Sequence, residues 1–296
     1  MDKWKRTRGD KAFDIVNVTL LTIGCLLVLY PLYFIVIASI SDPNRVFAGD
    51  VLLLPKDITF DGFKRIFQDD NIVNGFKNTL LYATLGTAIS VSLTVTSGYA
   101  LSRKDLPGRH IIMMFLVVTL FFHGGMIPTY LVVRDLGMVN TIWAMVIPNA
   151  VGLWNVIICR TFFQTSIPKD MLEAAQIDGC NDFRFFAKIV LPLSKPIIAV
   201  MVLFHVVTHW NSFFDALIYL NNDSLYPLQL ILRNLLIQSE ASTQMIGDIE
   251  SNQVQLAVAE QIKYGVIIVS SLPLLVLYPF LQKYFVKGVM IGSIKG

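Results

Sequence analysis

Six runs of apolar residues, each long enough to cross a bilayer core, constrain this chain more than any other feature. They cover about residues 13–40, 79–101, 110–133, 138–163, 196–220 and 264–284. A helix needs roughly 20 consecutive apolar residues to cross, because lipid leaves no water to pair a stray backbone group. Composition agrees: 54% of residues are hydrophobic and 15% charged, where soluble domains carry about 25% charge. The predicted fold is all-α, a polytopic membrane protein with six transmembrane helices. The first run is longer than the roughly 7–15 residues of a signal-peptide core and lacks a small-residue cleavage site, so it is expected to be retained.

Basic residues set the expected orientation. With six spans, the arm carrying Lys3, Lys5, Arg6, Arg8 and Lys11 shares a side with Arg103, Lys104 and Arg109. The same side holds Arg160, Lys169, Arg184, Lys188 and Lys195, and the tail with Lys283, Lys287 and Lys295. Sixteen of the 24 basic residues therefore fall inside, and both termini are predicted to be cytoplasmic. The net charge of +3 gives no support for nucleic-acid binding. Cys25, Cys159 and Cys180 form neither a disulfide framework nor a zinc pattern.

Residues 1–12 read as a cytoplasmic arm and 13–296 as one membrane domain. Two polar outer connections, about 41–78 and 221–263, are placed to touch a soluble partner; the second carries Asp248, Glu250 and Glu260. Pro31, Pro128, Pro148, Pro273 and Pro279 interrupt apolar runs and free backbone carbonyls, as kinks for packing or as hinges. Thr84, Thr87, Ser90, Thr94 and Ser97 share one arc of the second span, a pattern that lets helices approach and bond.

The most informative stretch is 166–196, SIPKDMLEAAQIDGCNDFRFFAKIVLPLSKP. Ser166 is predicted to cap a helix with Pro168 and Asp170 in its first turn. Met171 or Leu172 shares a face with Ala175. Gly179 is expected to end that helix at positive φ. Asn181 or Asp182 then caps a second helix, with Phe183, Phe186 and Ile189 on one stripe and Arg184 and Lys188 on another. The result is a two-helix elbow. From periodicity alone it reads equally as an interfacial amphipathic loop.

The residues Glu173-Ala174-Ala175, Asp178-Gly179, Ile189 and Leu191-Pro192 resemble, without a gap, the EAA loop of binding-protein-dependent ABC importer permeases. His123–Leu131 (HGGMIPTYL) and Lys287–Gly296 (KGVMIGSIKG) resemble the maltose-type carbohydrate branch, and Cys180 stands where that family often has alanine. The resemblance implies that the elbow is a coupling helix docked on a cytoplasmic ATPase through Glu173, Ala174, Ala175, Asp178, Gly179, Leu191 and Pro192. It implies a place in a bacterial inner membrane, a second permease chain, usually a different one, two ATPase subunits and an extracytoplasmic solute-binding lipoprotein. Small alanines would let the docking helix lie close, and Glu173 would face an arginine. The chain has no G-x-x-x-x-G-K-[ST] loop, so ATP and Mg are expected on the partner, with no cofactor here. No nucleophile–base or metal motif appears either, so the chain reads as a non-catalytic pore subunit.

Polar groups inside spans are functional candidates. His205, Thr208, His209, Ser212 and Asp215 fall on one arc of the fifth span with Asn211 at its flank, while Val207, Trp210 and Phe214 point away. The arc is expected to line a solute path or to hold helices together, with Trp210, Phe213 or Phe214 as a platform for sugar rings. The His205/His209 pair lacks a third metal ligand and an HExxH pattern. His123, beside Gly124 and Gly125, is expected at a close helix contact. An ion-driven secondary transporter is the alternative function; it would need paired intramembrane acids, and Asp215 alone is a candidate.

Overall fold

The computed structural model describes residues 7–245, 261–279 and 282, and among these no strand occurs. Lys3, Lys5 and Arg6, the acids Asp248, Glu250 and Glu260, and the ending from Lys283 onward lie outside the described residues.

The helices run in chain order as α1 (Arg8–Ser39), α2 (Pro43–Phe47), α3 (Asp61–Gln68), α4 (Asp70–Ser102), α5 (Arg109–Phe121), α6 (Met126–Asp135), α7 (Ile142–Val146) and α8 (Leu153–Ser166). Next come α9 (Lys169–Ile177) and α10 (Asp182–Phe185), which runs through a π-turn (Phe186–Val190) into α11 (Leu191–Leu193). The remainder are α12 (Lys195–Trp210), α13 (Phe213–Tyr219), α14 (Leu228–Met245) and α15 (Gln261–Pro279). Among the described residues three of them, α1, α4 and α15, are long and apolar enough to cross a membrane, or up to five spans if each bent pair counts as one.

The apolar runs are broken more often than their hydropathy indicates. The third run bends by 117° between α5 and α6, where Gly125 has φ +91°. His123 therefore sits exposed at a break rather than at a close helix contact. The fourth run splits around Pro148 into a 5-residue and a 14-residue helix. At 1.5 Å per residue α8 extends about 21 Å, short of a core of about 30 Å. Proline has no N–H to continue the ladder, which accounts for that split.

The chain divides into two compact units. The first contains residues 1–68 and 235–269. Here α1 begins with a capping box, Thr7 and Asp10 each bonding the other's backbone N–H. Nearly all of α1 is exposed; only Ile37, Ala38 and Ser39 in its last turn are buried. Gln261 Nε2 donates to the Ser41 carbonyl at 3.1 Å, and Phe34 meets Tyr264 edge-on at 5.9 Å.

The second unit contains residues 69–234 and 270–296 and is built around α4, which packs most extensively against α12 and α8. Glycine allows one of those approaches. A Cβ on Gly98 would lie 2.7 Å from the Cys159 Cβ and 3.2 Å from the Arg160 backbone nitrogen, so α8 lies almost directly on the α4 backbone. At its other end α4 holds the segment before α14: Asn78 Nδ2 donates to the Ser224 and Tyr226 carbonyls, and Tyr82 Oη to that of Leu225.

Candidate functional site: the exposed turn and the polar helix interface

The segment 166–196 forms helices close to those expected, with different ends. Ser166 is the last residue of α8 and not a cap; α9 begins after Pro168, without a side-chain cap. Asp178 ends α9 and Gly179 follows at φ +74°, the left-handed backbone that glycine alone adopts cheaply. Asn181 Oδ1 accepts from the Arg184 N–H at 2.8 Å and starts α10.

Burial sorts the predicted docking residues into two groups. Glu173, Ala174, Asp178, Gly179 and Pro192 are exposed. Ala175 is 7% exposed and Leu191 half-buried, both packed in the cluster of Phe163, Phe185, Val190 and Met201. Their small or aliphatic side chains therefore close the segment's own core and do not form its outer surface. Of the α10 stripe, Phe186 and Ile189 are half-buried and pack on that cluster as expected, whereas Phe183 is 80% exposed and Phe185 is the buried ring. Ile177, at 86%, is the other exposed apolar side chain flanking the glycine turn. Glu173 Oε1 lies 2.6 Å from Lys169 Nζ one turn earlier, and that hydrogen bond raises the Lys169 pKa. A cleft of about 640 Å³ opens between α9 and the end of α4, lined by Arg103, Lys104, Arg109, Lys169 and Glu173 among others.

The polar arc of the fifth run does not survive as one stripe, because α12 ends at Trp210 and α13 starts afresh at Phe213. His205 and His209 are 3% and 2% exposed and face α4. His209 Nε2 lies 3.2 Å from Ser90 Oγ; His205 Nε2 lies 3.2 Å from Thr94 Oγ1 and 3.3 Å from Asn155 Nδ2 on α8. Of the α4 hydroxyl arc, Thr87, Ser90 and Thr94 are buried as expected of packing, while Thr84 is exposed and bonds its own helix. Thr208 and Asn211 are exposed, and Ser212 Oγ donates to the His209 carbonyl at 2.7 Å. Asp215 Oδ2 accepts from Asn149 Nδ2 at 2.9 Å.

Trp210 corrects a further expectation. It does not point away: it is 2% exposed and donates from Nε1 to the Ser270 carbonyl at 2.9 Å. It cannot act as an open platform for a sugar. Phe213 and Phe214 remain partly exposed, edge-on to each other at 6.4 Å. Asn155, which the sequence reading passed over, is the third member of the His205 contact. A lone amide on an apolar run was the available signal.

Long apolar helices, with α4 and α12 joined through buried hydroxyl–imidazole contacts and an exposed two-helix turn between α8 and α12, define a multi-pass helical membrane protein. The chain belongs to the family of binding-protein-dependent transport system inner membrane components, whose model matches residues 109–291. It is 40% identical over 288 residues to the polygalacturonan/rhamnogalacturonan transport system permease protein YtcP of Bacillus subtilis (strain 168), covering 97% of this chain and 99% of that one. It is 38% identical over 292 residues to Protein LplC of the same organism, covering 98% and 97%. A crystal structure of a bacterial ABC transporter involved in the import of the acidic polysaccharide alginate contains a chain 33% identical, with TM-score 0.86, covering 96% of this chain and 100% of that one. The chain is thus a permease component, and the sequence resemblance is borne out.

Proposed function

We propose that this chain forms half of the membrane pathway of an ATP-driven importer for an oligosaccharide. It is a single membrane domain of six spans with both termini cytoplasmic, the spans being α1, α4, the bent α5–α6 pair, the split fourth run α7–α8, α12 with α13, and α15. A second permease chain completes the pathway, a solute-binding lipoprotein delivers the sugar outside, and two ATPase subunits bind ATP and Mg inside. Carbohydrate is supported by the relatives along nearly the whole chain, named for polygalacturonan/rhamnogalacturonan transport and for alginate import.

The observation that carries the docking role is the exposed turn itself. Between Glu173 and Phe183 the chain presents two apolar side chains, Ile177 and Phe183, either side of a glycine held at positive φ. A partner seated on the turn would take both side chains out of water, which favours association. Glu173, Ala174, Asp178 and Gly179 form its polar rim, and Ala175, Leu191 and the buried phenylalanine hold it rigid.

The solute path runs past the exposed polar groups of α12 and α13: Thr208, Asn211 and the Asn149–Asp215 pair. These donate and accept hydrogen bonds, as a sugar hydroxyl requires. His205, His209 and Ser212 hold the wall behind them.

The test is to purify the assembly through a tag on this chain and identify its subunits and released solute by mass spectrometry. A second permease, an ATPase and an oligosaccharide are the expected result. A chain that purifies alone, with uptake abolished by a protonophore, would instead establish an ion-driven carrier.

A further inference from the structure

Arg103 follows the last residue of α4, and its side chain is only 13% exposed. A guanidinium at that depth needs its donors filled, since an unpaired buried charge is strongly destabilising. Nε and Nη2 form a fork with the Asp105 carboxylate at 2.7 and 2.5 Å. Nη1 donates to Tyr99 Oη at 3.1 Å and to Asp182 Oδ1 at 3.0 Å.

These partners have different reach. Asp105 is two residues away and fixes the plane of the guanidinium; its hydrogen bonds raise the Arg103 pKa further, with burial opposing. Asp182 is 79 residues away, in the first turn of α10, beyond the Gly179 turn. Tyr99 extends the same connection with its ring, 4.7 Å from Phe186 in the π-turn and 5.6 Å edge-on from Phe163 in α8. Arg160 Nε, also on α8, donates to the Leu101 carbonyl at 3.1 Å.

We propose that Arg103 is a positioning residue that locks α10, and with it the exposed turn, to the end of α4. A push on the turn is then delivered to the helix whose Ser90 and Thr94 contact His209 and His205. The proposal rests on the ATPase-docking reading of the turn. Asp182 is 68% exposed, and solvent-screened pairs contribute little stability. The contact therefore supplies direction rather than folding energy. Losing it should free the turn without unfolding the chain.

The experiment uses the tagged assembly in lipid nanodiscs, with Cys25, Cys159 and Cys180 replaced and nitroxides placed at Thr96→Cys on α4 and at Arg184→Cys, an exposed position on α10. Pulsed EPR reads the distance distribution, with and without ATP and vanadate. The parent should give one narrow peak that ATP trapping does not split. In Asp182→Asn that narrow peak should be lost, Asp182→Glu should restore it, and Arg103→Gln with Asp182→Asn should be no broader than either alone. ATP hydrolysis by the retained ATPase should stay within about twofold of the parent, because an exposed pair contributes little to folding. A peak as narrow in Asp182→Asn as in the parent overturns the proposal. So does loss of the ATPase from that variant, which would make the contact part of the docking surface. If the parent itself carries no ATPase, the docking reading fails, and the nucleotide-free distances still decide whether the lock exists.

Discussion

At Gly179 the backbone carries the whole constraint. An added Cβ would meet nothing within 4 Å, so space does not select glycine there; φ +74° does. An ordinary L-residue in that conformation costs about 1–2 kcal/mol, and asparagine less because its side chain bonds locally. Gly179→Asn should therefore retain ATPase co-purification close to the parent level, while Gly179→Val, β-branched as well, should reduce it several-fold. Equal capture by both variants would mean that the turn's conformation is irrelevant to docking. This position was legible from the sequence because a glycine between two helical patterns has few other uses. Ala175 was not: whether a small side chain meets a partner or the chain's own core depends on Phe163 and Phe185, which only tertiary packing brings to it.

Among the elements, α4 and α12 show what helical periodicity can and cannot predict. The Thr87–Ser90–Thr94 arc lies within an unbroken helix, so a constant 100° per residue put those side chains on the buried face correctly. The arc from His205 to Asp215 crosses the break at Asn211 and Ser212, which resets the phase and separates the imidazoles from Asp215. The π-turn at Phe186–Val190 carries Phe185 and Val190, five residues apart, into one buried cluster, a spacing that 100° per residue does not predict. His205 joins three helices, so His205→Ala leaves both Thr94 and Asn155 without that partner. Each such contact within a membrane is worth about 0.6 kcal/mol and at most about 1.7, since separated helices find other partners. The thermal midpoint of the solubilised chain should fall clearly for His205→Ala and less for Thr94→Val, where His205 keeps Asn155. The reverse order would place the imidazole's main contact elsewhere.

For the whole molecule, hydropathy alone identified a helical membrane protein, and the resemblance around Glu173 identified its family. The break at Pro148 was legible as a proline in an apolar run; those at Gly125 and Ser212 were harder to see, because such a run has the same average hydropathy whether its helix is straight or bent. Those breaks leave the exposed turn and the polar wall of α12 on short elements carried by α4. Docking of a cytoplasmic ATPase on the turn can be captured with a photo-cross-linking amino acid placed at Ile177 in cells expressing the native assembly, with the exposed Leu27 of α1 as the membrane control. An adduct is expected at Ile177 with a polypeptide carrying a G-x-x-x-x-G-K-[ST] loop, and none at Leu27. An Ile177 site that cross-links only to lipid, in a chain that is inserted and intact, would contradict docking on the turn.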